Sequence, residues 1–245
     1  MEKKRIKLIT SFLIIVLVCC LTYIVSAKVF KYNKPVTNEI KQVVVDIEDK
    51  KDEKEDLNNL FSPDVDLNYY RELYNNRNIV GRLEIPNMFN ILLTQSSNNE
   101  YYLNHSIDNK KDIKGTEYID YRVSTDSQQI NIYGHNSKTY DIPFRKLEKY
   151  LNEDFFNNNQ YILLQDDKGR KIYRIFAIKE VNKDYSHMRV NLTGEEFLKQ
   201  ISNLGNNVIY KRDIDYNQNS KILVLQTCSY ASDDSYYVIT AILEE

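Results

Sequence analysis

Eight short segments rich in β-branched and aromatic residues restrict this chain, over most of its length, to an all-β sandwich or a closed barrel. They are Ile79–Ile85, Asn90–Gln95, Glu117–Arg122, Gln129–Tyr133, Tyr161–Gln165, Lys171–Val181, Lys221–Thr227 and Tyr236–Leu243. The first alternates in strand fashion and is stopped by Pro86, which cannot donate to a ladder. With only 6 Gly and 4 Pro in 245 residues, the turns fall to Asn and Asp, which tolerate left-handed backbone. Two helices are expected between the strands. One is Phe144–Leu151; the other opens with a capping box at Thr193-Gly194-Glu195-Glu196 and runs through Ile201. A further helix capped by Asp66 and running to Asn75 precedes them, with Leu67, Tyr70, Leu73 and Tyr74 at helical spacing. No internal repeat and no Gly-rich phosphate loop is present.

The N-terminal part has a different character. Residues 1–7 carry Lys3, Lys4, Arg5 and Lys7, and residues 8–27 then run from Leu8 to Ala27 without a charge, enough to cross a hydrocarbon core about 30 Å thick. Flanking basic residues favour a cytoplasmic N-terminus with the remainder outside. Val25-Ser26-Ala27 resembles a signal-peptide cleavage site, but the long apolar run without Gly or Pro favours an uncleaved single-pass membrane anchor. Residues 28–61 include the almost wholly charged run Asp46–Asp56 and are expected to form an extracellular stalk. The globular domain is expected over 62–245. A net charge of −2 gives no polycationic surface, so nucleic acid is not an expected partner.

Chemistry has few places to reside. Cys19 and Cys20 fall in the apolar run, leaving Cys228 as the lone thiol beyond it and no disulfide framework. Cys228 ends the run Lys221-Ile222-Leu223-Val224-Leu225-Gln226-Thr227, where a side chain is held rigidly yet stays reachable, as a nucleophile needs. Its competing reading is a small buried hydrophobe. Of the three histidines, His135 follows the strand Ile130–Tyr133 and Gly134, a strand-end position like that of Cys228, so the two can meet as a Cys/His pair. His105 and His187 lie in polar loops as surface or hydrogen-bonding residues. No His or Cys pair stands at metal-ligand spacing, no G-x-S-x-G is present, and Asp233-Asp234 reads as a solvated turn.

Leu225-Gln226-Thr227-Cys228 resembles the signature of the sortases, and Tyr133-Gly134-His135-Asn136 resembles their histidine segment. Class B is favoured by Tyr101–His105, Thr116–Arg122 and Pro143–Tyr150, with Asn78–Leu83 similar to the entry to the first strand. The resemblance covers roughly Leu67 to Leu243 and implies a closed eight-stranded sortase-type barrel with an N-terminal helix and a few short helices in loops. It implies a membrane-anchored cysteine transpeptidase of a Gram-positive cell without cofactor. Cys228 would cut an LPXTG-like sorting signal after its Thr, forming a thioester, and His135 would move the proton. The implied partners are surface proteins bearing a C-terminal sorting signal and an amine of a peptidoglycan precursor, or of a pilin subunit in polymerising members. Asn99, Leu103 and Ser229 would line the signal site.

One departure stands out. The family carries an arginine eight positions after the cysteine; here that position is Tyr236, and no arginine follows Arg212. Three accounts stand side by side: Tyr236 serves as a weaker donor, Arg122, Arg189 or Arg212 reaches in, or the protein is a slow or inactive member that binds signals or cell-wall material. Another secreted cysteine peptidase is disfavoured, because such enzymes place the cysteine at the start of a helix.

Overall fold

The computed structural model describes residues 57–244. The basic segment, the expected anchor and the stalk up to residue 56 lie outside the described residues. Among the described residues no helix is long and apolar enough to cross a membrane.

Among the described residues nine strands form one sheet: β1 Ile79–Ile85, β2 Phe89–Thr94, β3 Tyr118–Ile119, β4 Gln129–Tyr133, β5 Tyr161–Asp166, β6 Gly169–Asn182, β7 Tyr210–Lys211, β8 Ile222–Cys228 and β9 Ser235–Leu243. Their order is β5-β1-β2-β3-β4-β8-β9-β6-β7, and β5 also pairs with β6. That last pairing closes eight strands into a barrel, with β7 appended to β6. Closure removes the open edges that would otherwise recruit other chains. The closed eight-stranded barrel expected from the resemblance is therefore present.

The apolar pattern of β8 explains its place. Leu223 and Leu225 face the barrel interior with Leu83, Ile132 and Ile239. Ile222 and Val224 face the other way, into an outer layer with Phe197, Ile201 and Leu204 of helix α3 (Gly194–Leu204). A strand buried on both faces reads as an unbroken apolar run, which is what Ile222–Leu225 is. Each such side chain contributes about 1.5–3 kcal/mol of burial.

At the N-terminal side, Asp66 caps helix α1 (Leu67–Leu73) by accepting from the Asn68 and Tyr69 amides. Arg82, 1% exposed, pairs with Glu84 and donates to the Pro63 carbonyl at 2.8 Å and the Ser62 carbonyl at 3.2 Å. The buried charge is thus satisfied on several sides, as a buried ion must be. Leu57 and Phe61, just ahead of the expected domain start, pack on Leu163 and Ile172.

Several local expectations shift. The expected strand Glu117–Arg122 contracts to β3, because the Asp120 side chain accepts from the Arg122 amide and guanidinium and turns the chain. The expected helix after the histidine is a 3₁₀ segment, Pro143–Leu151. Helix α2 (Glu153–Asn158), capped by Asn152, follows it. Helix α2 and strand β7 lie outside the elements expected from the sequence. Thr193 does occupy the N-cap of α3, yet its side chain makes no capping bond. Gly194 at φ 54° leaves the helical region immediately after it, so the capping box does not close, and the helix continues to Leu204.

Candidate active site

Cys228 is the last residue of β8 and is exposed, with no disulfide. Desolvation of the thiol pushes its pKa up, opposed by its own backbone amide, so the resting group is a thiol. β4 runs parallel to β8 as far as Tyr133 opposite Gln226. The chain beyond β4 stays zipped to β8. The Gly134 backbone amide donates to the Gln226 carbonyl (3.2 Å), the Thr227 hydroxyl donates to the Gly134 carbonyl (2.9 Å), and the Asn136 side-chain Nδ2 donates to the Cys228 carbonyl (2.8 Å). His135 lies between two of these anchors, so its backbone is fixed alongside the Thr227-Cys228 pair.

The imidazole is fixed as well. Its Nε2 lies 2.6 Å from the Leu103 carbonyl; a carbonyl only accepts, so Nε2 carries a proton. Gly115 makes this approach possible. At φ 64° a Cβ there would stand 2.5 Å from the Tyr102 carbonyl, 2.9 Å from that of Leu103 and 3.1 Å from the His135 ring. Gly134 is equally constrained, since a Cβ would meet the Phe144 ring at 2.6 Å and the Glu117 side chain at 2.9 Å. Glu117 is buried beneath this turn. Burial pushes its carboxyl up to about 7, against the pull of its own amide and that of Phe144.

On the other side of β8 from β4 and His135, Tyr236 of β9 is the register partner of Cys228. Burial and then the neighbouring Tyr185 phenol raise its pKa, so it holds its proton as a neutral donor. Tyr185 and His187 flank it, with ring centroids 6.1 and 6.2 Å away. Tyr118, Tyr133 and Tyr102 form an adjoining aromatic cluster with Met188 packed on it. Burial drives the Tyr118 phenol strongly up, with Asp120 and Cys228 adding to it.

Of the arginines considered for the missing position, Arg212 donates to the carbonyls of Ile175 and Phe156, lies over the Phe156 ring and is tied to the β6 side of the barrel. Arg189 pairs with Glu196 at 3.8 Å. Arg122 is held by the fully buried Asp120, which also accepts from Tyr133 at 2.8 Å, and it donates to the Met188 carbonyl.

Among the expected signal-site residues, Leu103 is 38% exposed and meets His135 through its carbonyl. Asn99 accepts from the Tyr121 amide at 3.0 Å, a loop-building contact. Ser229 is buried and its hydroxyl turns to Glu180. His105 stacks on Tyr101 at 4.1 Å and bonds its carbonyl, a packing role. His187 is not a surface loop residue: it is 2% exposed and bonded to Gln226 at 2.6 Å. Asn136, Glu117 and Gln226 stand inside the motifs that carry the resemblance but have no role of their own there, and Gly115, one of only 6 glycines, lies outside them.

The sortase-domain family model matches residues 95–244. Sortase B of Listeria monocytogenes is 27% identical over 165 residues, covering 64% of this chain and 65% of that protein; the match thus spans just under two thirds of the curated relative. Clostridium perfringens sortase B superposes with a TM-score of 0.68 at 25% identity, covering 73% of this chain and 99% of that one. The Listeria monocytogenes sortase B structure gives 0.64 at 26% identity, covering 71% and 99%. A Staphylococcus aureus sortase B–substrate complex gives 0.67 at 19% identity, covering 73% and 84%, a likeness of fold alone.

Proposed function

The chain belongs to the sortase family, with its likeness to class B members, and from that premise we propose that it is a cysteine transpeptidase acting on sorting signals. The observation that supports this reading best is the exposed Cys228 thiol at the end of a doubly buried strand, with the His135 segment hydrogen-bonded alongside it. The thiol sulfur adds to the carbonyl carbon of the Thr of an LPXTG-like signal. The C–N bond breaks, a thioester forms, and the departing amine takes a proton from His135 while the thiol proton replaces it. An incoming peptidoglycan amine then attacks the thioester, gives up a proton and restores the thiol. One amide is exchanged for another, so no oxidant or cofactor is needed. Tyr236 supplies the hydrogen bond to the developing oxyanion, weaker than an arginine would give.

In the cell, the apolar segment Leu8–Ala27 would anchor the chain, with the segment from residue 28 up to residue 56 as the stalk holding the barrel outside, where surface proteins bearing sorting signals pass. Leu57 and Phe61 pack on the barrel itself. A second reading is favoured by one observation: Arg122 is committed to Asp120, and Tyr236 carries no charge. On that reading the protein binds sorting signals or cell-wall material and turns them over poorly. Incubating the full chain with LPXTG-like peptides and an amine acceptor separates the two, since only the transpeptidase yields the joined product.

A further inference from the structure

His187 has no part in the chemistry above, yet it is among the most completely buried polar residues near the thiol. Its Nε2 lies 2.6 Å from the Gln226 amide oxygen. That oxygen only accepts, so Nε2 carries the proton, and burial, the largest influence on the ring, opposes a second one. The backbone of the same turn is held from three further sides. The His187 carbonyl accepts from Gln129 at 3.0 Å and Asn131 at 3.3 Å on β4. The Ser186 carbonyl accepts from Gln200 of α3 at 2.8 Å, and the Met188 carbonyl accepts from Arg122 at 2.9 Å.

This turn carries two side chains that pack near the Cys228 end of the sheet. Tyr185, 47% exposed, stands beside Tyr236, and Met188 packs on the Tyr102–Tyr118–Tyr133 cluster. Gln226 is two residues before Cys228 on the same face of β8 by strand alternation. The one side-chain link from the turn to the strand that bears the thiol is therefore, among the hydrogen bonds above, His187 to Gln226.

We propose that His187 is a positioning residue: its bond to Gln226 fixes the 185–189 turn against β8 and so sets Tyr185 against Tyr236, the ladder partner of Cys228, for the incoming sorting signal. The proposal rests on the transpeptidase reading. A misplacement of about 1 Å at a reacting centre costs about 10²-fold, so the loss is expected in acylation rather than in folding.

The test uses the full chain and an LPXTG-like peptide. His187→Leu keeps the volume but cannot donate, whereas His187→Gln places an amide N–H near the Nε2 position. Acylation of Cys228 is expected to slow about 10–100-fold in His187→Leu and to recover to within about threefold of wild type in His187→Gln. Alkylation of Cys228 by iodoacetamide should stay within about twofold in both, because the thiol itself is untouched. Wild-type acylation in His187→Leu, or equal loss in the two variants, overturns the proposal. If the wild type forms no acyl-enzyme with any peptide, the transpeptidase reading falls instead, and hydrogen exchange decides the anchor. Faster exchange of the 185–190 amides in His187→Leu, but not in His187→Gln, supports it; equal exchange in all three refutes it.

Discussion

Tyr236 faces Cys228 directly across the β8–β9 ladder, at the position where the resemblance to sortases implies an arginine. Antiparallel partners hold their Cβ atoms about 4.5–5.5 Å apart, so the two side chains leave the ladder as neighbours. Removing the phenol donor with Tyr236→Phe should lower kcat/KM for a sorting-signal peptide by about 10². Tyr236→Arg should raise kcat/KM, because a charge-assisted bond is roughly twice as strong. Unchanged kinetics in both variants would remove Tyr236 from the site.

Glu117 makes the fold sensitive to pH. In the folded chain its carboxyl titrates at about 7, against 4.5 for a free one. Between those values the native state binds more protons than the unfolded state, so this residue's contribution is complete below about pH 4.5 and fades as pH rises to about 7, then stays constant. The full span corresponds to roughly 3 kcal/mol. Glu117→Gln mimics the protonated carboxyl and should lose this loss: its denaturant midpoint, relative to wild type, should climb from pH 4.5 to 7 and level off above. A constant difference across that window would show that Glu117 does not titrate there.

Gly115 holds the His135 ring and the Leu103 carbonyl together by having no side chain. Gly115→Ala places a methyl against two carbonyls and that ring in a backbone region costly for L-residues. A drop in kcat of about 10-fold or more is expected, with alkylation of Cys228 by iodoacetamide nearly unchanged. Wild-type kcat would show that the Leu103–His135 contact is dispensable.

The barrel was legible because doubly buried strands announce themselves: Ile222–Leu225 could hardly be anything else, and both Cys228 and His135 follow such runs. Closure through the β5–β6 pairing was implied by the resemblance and not by the residues, which left a sandwich equally open. What escaped depends on long-range contacts. Ser186-His187-Met188 is polar and aperiodic, and only the packing of α3 and β8 against it buries the ring. Asp120 ends β3 through its own side chain, and Gly194 defeats a capping box that the residue types alone spell correctly. Ser229 looked available beside the thiol until Glu180, far away in sequence, claimed its hydroxyl.

The central claim is that Cys228 is acylated by a sorting signal with His135 moving the proton, and intact-mass analysis of the full chain mixed with LPXTG-like peptides tests it most directly. The expected result is an adduct equal to the signal fragment ending in Thr, mapped to Cys228, released by hydroxylamine and absent from Cys228→Ala. Cys228→Ala and His135→Ala are each expected to abolish turnover. No adduct and no cleavage across several signal variants, or an adduct that survives Cys228→Ala, would contradict that claim.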